Sequence, residues 1–287
     1  MTTDRIGAVL ITGCSSGIGH ALAEEWASRN KGPVVATARD PKSIEDLRDK
    51  GCLTLALDVT DMRSIDEAIH TVRQQYDAIS MLVNNAGWGL MGPISELDLD
   101  KLNRQLMTNV VGPVAMIKAV VPHMAERRAG VIVNVGSVSG VLASPFAGAY
   151  CASKAAVHAL TDSLRIELRP FGISVVSLQP GAVLSRFGHS AAAQTCRPES
   201  PQSLYAPFEK QIRDRAQISQ QGGMQAADFA ARVVDDLLRD PPPAVIRHAP
   251  LSRKLPLLAR LPIGIRDRIL AKKFGLASQR KRQRSRQ

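Results

Sequence analysis

Short, continuously apolar runs alternate along this chain with stretches whose apolar residues return every three or four positions. The first pattern reads as buried strands and the second as amphipathic helices. Residues 6–12, 34–38, 53–57, 81–83, 131–135 and 173–178 are the strand-like runs, with 244–247 as a last short one. Helical spacing follows the first run through Ala21, Leu22, Trp26 and Ala27, and runs through 62–76 on Ile65, Ala68, Ile69 and Val72. It recurs over 97–124, over 147–168, and over 228–238, where Pro241, Pro242 and Pro243 stop it. Strand and helix in alternation predict an α/β fold: one parallel sheet with helices on both faces.

Composition narrows this picture. At 287 residues and 45% hydrophobic the chain can bury a sizeable core, and with 4% aromatics that core must be largely aliphatic. Cys14, Cys52, Cys151 and Cys196 show no C-x-x-C spacing, which argues against a disulfide framework or a zinc site. Residues 1–5 lead straight into a strand-like run without the shape of a signal peptide, and no apolar stretch is expected to reach the roughly 20 residues of a membrane span. The chain therefore reads as cytoplasmic. Its net charge of +11 is unevenly placed: 13 of the 37 Lys and Arg fall from Arg247 onward, with Asp267 the one acid there. The body is close to neutral and the tail alone makes the protein basic.

Candidate chemistry lies at the ends of the strand-like runs. The first ends in Gly13-Cys14-Ser15-Ser16-Gly17-Ile18-Gly19 before a helix. Glycines let backbone approach a pyrophosphate, and a helix amino terminus offers free N–H groups and a positive dipole. A turn without ligand is the alternative. Arg39 follows the second strand, twenty residues after Gly19, where nucleotide folds choose between NAD and NADP. A guanidinium there binds a 2′-phosphate bidentately, although Asp40 beside it can face a ribose instead. Asp58, after the third strand, either touches an adenine edge or caps the next helix. Asn84-Asn85-Ala86-Gly87 follows the fourth, where paired amides either bridge strand ends or hold a cofactor ring. Asn109, among Leu106, Val110 and Val111, is expected to be buried and must find partners, either backbone or a water. Ser137 stands just after the fifth strand, at the sheet end where such folds bind ligands. Tyr150 and Lys154 are four apart on one helix face. A fixed ammonium lowers a phenol's pKa, which makes Tyr150 a candidate proton donor or acceptor.

These motifs occur in one order at mutually consistent spacing, together with Pro180-Gly181. The chain resembles the classical short-chain dehydrogenase/reductase family over about residues 5–250. In wording it is closest to the hydroxysteroid and retinol dehydrogenase group. The resemblance implies a single-domain, Rossmann-like doubly wound sheet over 1–250 and a substrate lid over about 183–223. It implies an NADP(H)-dependent oxidoreductase interconverting an alcohol and a ketone or aldehyde on a lipophilic steroid, retinoid or acyl-like substrate. Ser137 would polarise the carbonyl, Tyr150 would act as general acid/base and Lys154 would lower the Tyr150 pKa and bond the nicotinamide ribose. Asn109 would hold a relay water. Gly13, Ser15, Ser16, Gly17, Ile18, Gly19, Arg39, Asp58, Asn85, Ala86, Gly87, Pro180, Gly181, Val183 and Ser185 would contact the cofactor, Ser185 standing where the family usually has Thr. Assembly as a homodimer or homotetramer through helices 97–124 and 149–168 is also implied. Candidate pocket residues are Phe187, Tyr205 and Phe208 on one side, with Trp88, Leu90, Met91 and residues 138–146 on the other.

Residues 251–287 form a basic amphipathic tail. It carries Ile265, Ile269, Leu270 and Phe274 on one side and ends in an Arg-rich run over 280–286. Three readings stand: contact with the inner face of an anionic membrane, packing on the body or a second subunit, and nucleic-acid contact, the last opposed by the absence of interleaved aromatics. A non-catalytic protein that senses NADP(H) and associates with membrane through this tail is the alternative to an enzyme. No metal site is expected.

Overall fold

In the computed structural model, described for residues 7–196, 202–220 and 222–277, seven parallel strands form one sheet in the order β3-β2-β1-β4-β5-β6-β7. The strands are β1 (Ala8–Ile11), β2 (Val34–Ala38), β3 (Leu53–Ala56), β4 (Ile79–Asn84), β5 (Gly130–Val135), β6 (Ile173–Leu178) and β7 (Val245–Ile246). Side chains alternate between the faces of a strand, and β1 is apolar on both. Val9 and Ile11 join a core with Leu22 and Trp26 of α1 (Gly17–Ser28) and Phe229 and Val233 of α9 (Ala226–Leu237). Ala8 and Leu10 join a second core with Ile65 and Val72 of α3 (Met62–Gln75) and Met116 and Val120 of α5 (Gly112–Arg127). A strand buried on both sides reads as a continuous apolar run, the parallel-sheet signature. The short α2 (Glu45–Asp49) precedes β3.

The helical stretch expected over 97–124 is two helices joined by a wide turn. α4 (Leu99–Leu106) passes through a π-helical segment, Met107–Val111, into α5. Asp98 caps α4 by accepting the N–H groups of Asp100 and Lys101. Taken together, Leu99–Arg127 is long and apolar enough to cross a membrane by length and composition. Here it packs beside α6 (Gly148–Leu168) and over β4 and β5.

Beyond β6 the chain builds a roof over the sheet's carboxyl end. Val183 bridges to Met224, α7 (Phe187–Ala193) and α8 (Glu209–Ala216) lie above them, and a small core of Met91, Ala147, Tyr150, Cys151, Ala191 and Ala216 ties this roof to α6. The basic tail is helical here too, as α10 (Lys254–Ala259) and α11 (Ile263–Lys273). Ser252 and Phe274 are buried against the body. The Arg-rich run 280–286 and residues 1–6 lie outside the described residues.

Candidate functional site

The sheet's carboxyl ends open into a cavity of about 940 Å³, at the upper end of the range for small-molecule sites. It straddles β1 and β4, where the strand order reverses and open α/β sheets bind ligands. Every residue expected to act in catalysis or to contact the cofactor lines this cavity except Gly19 and Asn109.

At one end the loop after β1 turns into α1. Gly13 has φ +72°, and a Cβ there would stand 2.7 Å from the Ala86 Cα, so this crossing admits only glycine. Gly19 faces inward instead, where a side chain would meet Asn85 and the Gly13 carbonyl; it allows close packing and does not face the cavity. The α1 amino terminus has no side-chain cap and no acid in its first turn. Its orphan N–H groups and dipole are thus free toward the cavity, a donor set that fits a pyrophosphate.

Farther out, Arg39 lies exposed at the cavity edge. Asp40 is occupied: its carboxylate accepts the Lys42 N–H at 3.0 Å and caps the next turn. Asp58 binds the Thr60 N–H and hydroxyl at 2.9 and 2.7 Å. Burial raises its pKa, but those two bonds, with Arg39 nearby, outweigh this and hold it below the usual carboxylate range. The helix cap expected of Asp58 falls to Asp61, which accepts the Arg63 N–H at 2.9 Å.

The paired amides bridge strand ends. Asn84 donates to Asn134 at 2.9 Å, Asn134 donates to Thr161 at 3.0 Å, and Asn85 donates to the carbonyls of Thr12 and Gly13. Asn109 lies in the π-helical turn, buried. Its Oδ1 accepts the Trp88 N–H at 3.0 Å, while Nδ2 donates to the Trp88 carbonyl at 2.9 Å and to Ser153 at 3.1 Å. These bonds are the backbone partners that its burial called for. Gln105 adds a bond to the same Trp88 carbonyl at 3.1 Å.

Ser137, Tyr150 and Lys154 meet at the cavity floor. Ser137 Oγ accepts the Ser139 N–H at 3.1 Å, which leaves its own proton to donate. Lys154 donates to the Val135 carbonyl at 2.7 Å, and its Nζ lies 6.0 Å from the centre of the Tyr150 ring. Burial sets both pKa values: Tyr150 is pushed up to about 12 and Lys154 down to about 8. The Ser137 hydroxyl and Arg215 draw the phenol back down. The sequence assigned that lowering to Lys154; in this structure burial dominates, and the cation acting against it is Arg215 of α8.

His158 extends this face of α6 by another turn. Its Nε2 accepts the Ser137 N–H at 3.3 Å and fixes the loop that carries the Ser137 hydroxyl. Burial, then the Lys154 charge, push its pKa down to about 4, so it is neutral and an acceptor at physiological pH. His158 was legible in principle, eight residues after Tyr150 and four after Lys154; Arg215 lay in the segment expected to be a lid, with nothing in its sequence context to link it to Tyr150.

The roof supplies Phe187, whose ring centre lies 5.3 Å from that of Tyr150. Tyr205 and Phe208 pack on Phe146 and do not line the cavity, and Leu90 is wholly buried. Ser185 Oγ accepts the Phe187 N–H at 3.3 Å at the start of α7. The tail reaches the site as well: Leu255, Leu270, Lys273 and Phe274 are part of its wall.

The sequence profile of the short chain dehydrogenase family matches residues 7–195. A short-chain dehydrogenase of Penicillium ochrochloron, ptmH, is 38% identical over 94% of this chain and 98% of its own length. Human 17-beta-hydroxysteroid dehydrogenase type 1 is 35% identical over 87% of this chain and 79% of that protein. Among solved structures, a short-chain dehydrogenase from Streptomyces avermitilis superposes with a TM-score of 0.78 at 29% identity, covering 99% of both chains.

Proposed function

As an oxidoreductase belonging to the short-chain dehydrogenase family, the chain, we propose, uses NADP(H) to interconvert a lipophilic alcohol with its ketone or aldehyde, Tyr150 acting as general acid/base. The observation that carries this reading is the convergence of Ser137, Tyr150 and Lys154 on one cavity floor, below an uncapped helix amino terminus. The cofactor supplies or accepts the hydride. The α1 amino terminus and Arg39 fit its phosphates, and the engagement of Asp40 in a cap leaves Arg39 as the free charge at the ribose end, which favours NADP(H).

Burial keeps Tyr150 a neutral phenol at rest, the form that can protonate a developing alkoxide. Ser137 donates its free proton to the same oxygen and polarises it. As the phenolate forms, the Lys154 ammonium and the Arg215 guanidinium offset its charge. Lys154, pushed down to about 8, exchanges protons near working pH and can return one to Tyr150. Met91, Leu142, Phe187, Leu255 and Phe274 give the wall an apolar cast suited to a lipophilic substrate.

The test is NADPH oxidation across retinal, ketosteroids, 3-ketoacyl esters and aryl ketones. Tyr150→Phe is expected to lower turnover about 10²–10⁴-fold with NADPH affinity retained. Arg39→Ala is expected to weaken NADPH but not NADH. NADPH binding without turnover of any substrate would favour the sensor. We also propose homodimer or homotetramer assembly, on the exposed Leu99, Met107 and Val111 beside the exposed Leu160 and Ile166 of α6. A monomeric mass by light scattering at micromolar concentration would oppose it.

A further inference from the structure

Arg215 is out of keeping with the cavity it lines. It sits near the end of α8, 8% exposed, in the wall that holds Tyr150, Phe187 and Ala216. Buried guanidinium groups are ordinarily matched by a carboxylate, since an isolated charge loses its hydration without compensation. Two residues earlier on the same helix, the solvated Arg213 pairs with Glu209; Arg29, Arg165 and Arg239 pair with acids at the surface too. Among the described residues no carboxylate lies within ion-pair distance of Arg215. Its Nε donates to the neutral Ser144 hydroxyl at 3.0 Å, and its other close neighbours are the Cys151 thiol and the Tyr150 phenol. One of its N–H groups bonds the Cys151 side chain, and Arg215 lines the cavity beside Tyr150.

We propose that Arg215 is a substrate-recognition residue, and that the cavity takes a carbonyl or alcohol substrate bearing an oxyanion, a carboxylate or phosphate, close to the reacting carbon. A guanidinium binds such a group through two parallel bonds, and an incoming anion supplies the partner the fold omits. Lys273 lines the same cavity and adds a second positive charge; α11 leads to it, and Gly275 just beyond lies against Gln211, one turn before Arg215 on α8. The apolar remainder of the wall accepts the rest of the molecule, so the expected ligand is amphipathic. The inference rests on the oxidoreductase reading for what happens to that ligand, but the anion site is testable without turnover.

The experiment is calorimetric titration of the full chain, saturated with NADP+, with octanoate, octyl phosphate and 1-octanol at pH 7.5. Saturation fills the α1 amino terminus and Arg39, so a further anion reports on Arg215. At least one anion is expected to bind tenfold or more tightly than octanol, and the two anions distinguish carboxylate from phosphate. Arg215→Gln is expected to lower that affinity about tenfold or more, and Arg215→Lys to restore part of it. Wild-type NADP+ affinity in both variants shows that each is folded. Octanol binding as tightly as both anions, no binding of either anion, or an Arg215→Gln protein that binds them like wild type would overturn the proposal. So would unchanged anion affinity with a shifted pH profile of kcat, which would make Arg215 a tuner of Tyr150 alone. Anion binding in a protein that reduces no carbonyl would sink the oxidoreductase reading and leave the anion site standing.

Discussion

His158 binds the Ser137 loop through a neutral nitrogen, which makes the site sensitive to acid. Its pKa falls from 6.5 to about 4 on folding. Between those values the unfolded chain holds the extra proton, so stability rises with pH through this window and is lost as pH falls through it. After burial, the Lys154 charge opposes protonation most, Asp162 favours it less strongly, and Arg247 opposes it more weakly still. The contribution is at most about 3 kcal/mol. Urea unfolding at intervals from pH 4 to 7 is expected to show this slope in the wild type and a shallower one in His158→Gln. In the folded protein the same protonation, centred near pH 4, removes the acceptor for the Ser137 N–H, so turnover should fall only at the bottom of that window. A His158→Gln protein with the wild-type acid limb would assign that limb elsewhere. Much at this scale is legible in the sequence: Ser137, Tyr150 and Lys154 announce themselves by residue type and spacing. The origin of the tyrosine pKa is not, since burial and a cation from a distant helix are tertiary facts.

At the scale of elements, the π-helical turn Met107–Val111 is the feature that helical periodicity conceals. One extra residue in a turn leaves the apolar spacing nearly intact, so residues 97–124 read as a single helix. The turn presents Asn109 to Trp88, where its amide closes both main-chain bonds of that residue. Asn109→Ala strips partners from the Trp88 N–H and carbonyl and from Ser153, in a buried place where each orphaned group costs about 1–3 kcal/mol. Gln105 still serves the carbonyl. The expected loss is therefore about 2–3 kcal/mol by thermal or urea denaturation, with turnover reduced because Gly87 and Trp88 border the cavity. Unchanged stability with reduced turnover would instead favour the relay-water role. The strands were far easier to read than this turn: β2, β5 and β6 fall within a residue of their apolar runs, because a strand buried on both faces leaves no polar interruption. Residues 183–223 offer little comparable signal beyond a weak periodicity over 204–218, where α8 lies, and α7 emerged only with the fold.

For the molecule as a whole, the basic tail changes meaning once it is placed. Charge alone divides the chain near residue 250 and invites the view that 251–287 is an appendage for membrane, subunit or nucleic acid. In the structure the apolar stripe is divided: Leu270 and Phe274 turn onto the body and line the substrate cavity, while Ile263, Ile265 and Ile269 stay exposed. Removing the chain after Pro250 would therefore open one wall of the cavity as well as remove the charges. An adaptor with a detachable anchor would keep its catalytic constants after this cut and lose only binding to anionic vesicles. The packing seen here predicts instead a truncated protein with intact NADPH affinity, since the α1 amino terminus and Arg39 are outside the removed segment. Its KM for lipophilic substrates should rise severalfold or more, because the apolar area of Leu251, Leu255, Leu270 and Phe274 is lost to the substrate. Vesicle co-sedimentation of the full and truncated chains, read beside KM, separates the two functions. Loss of vesicle binding together with a raised KM would mean that the exposed isoleucines and the buried Phe274 serve different partners from one helix.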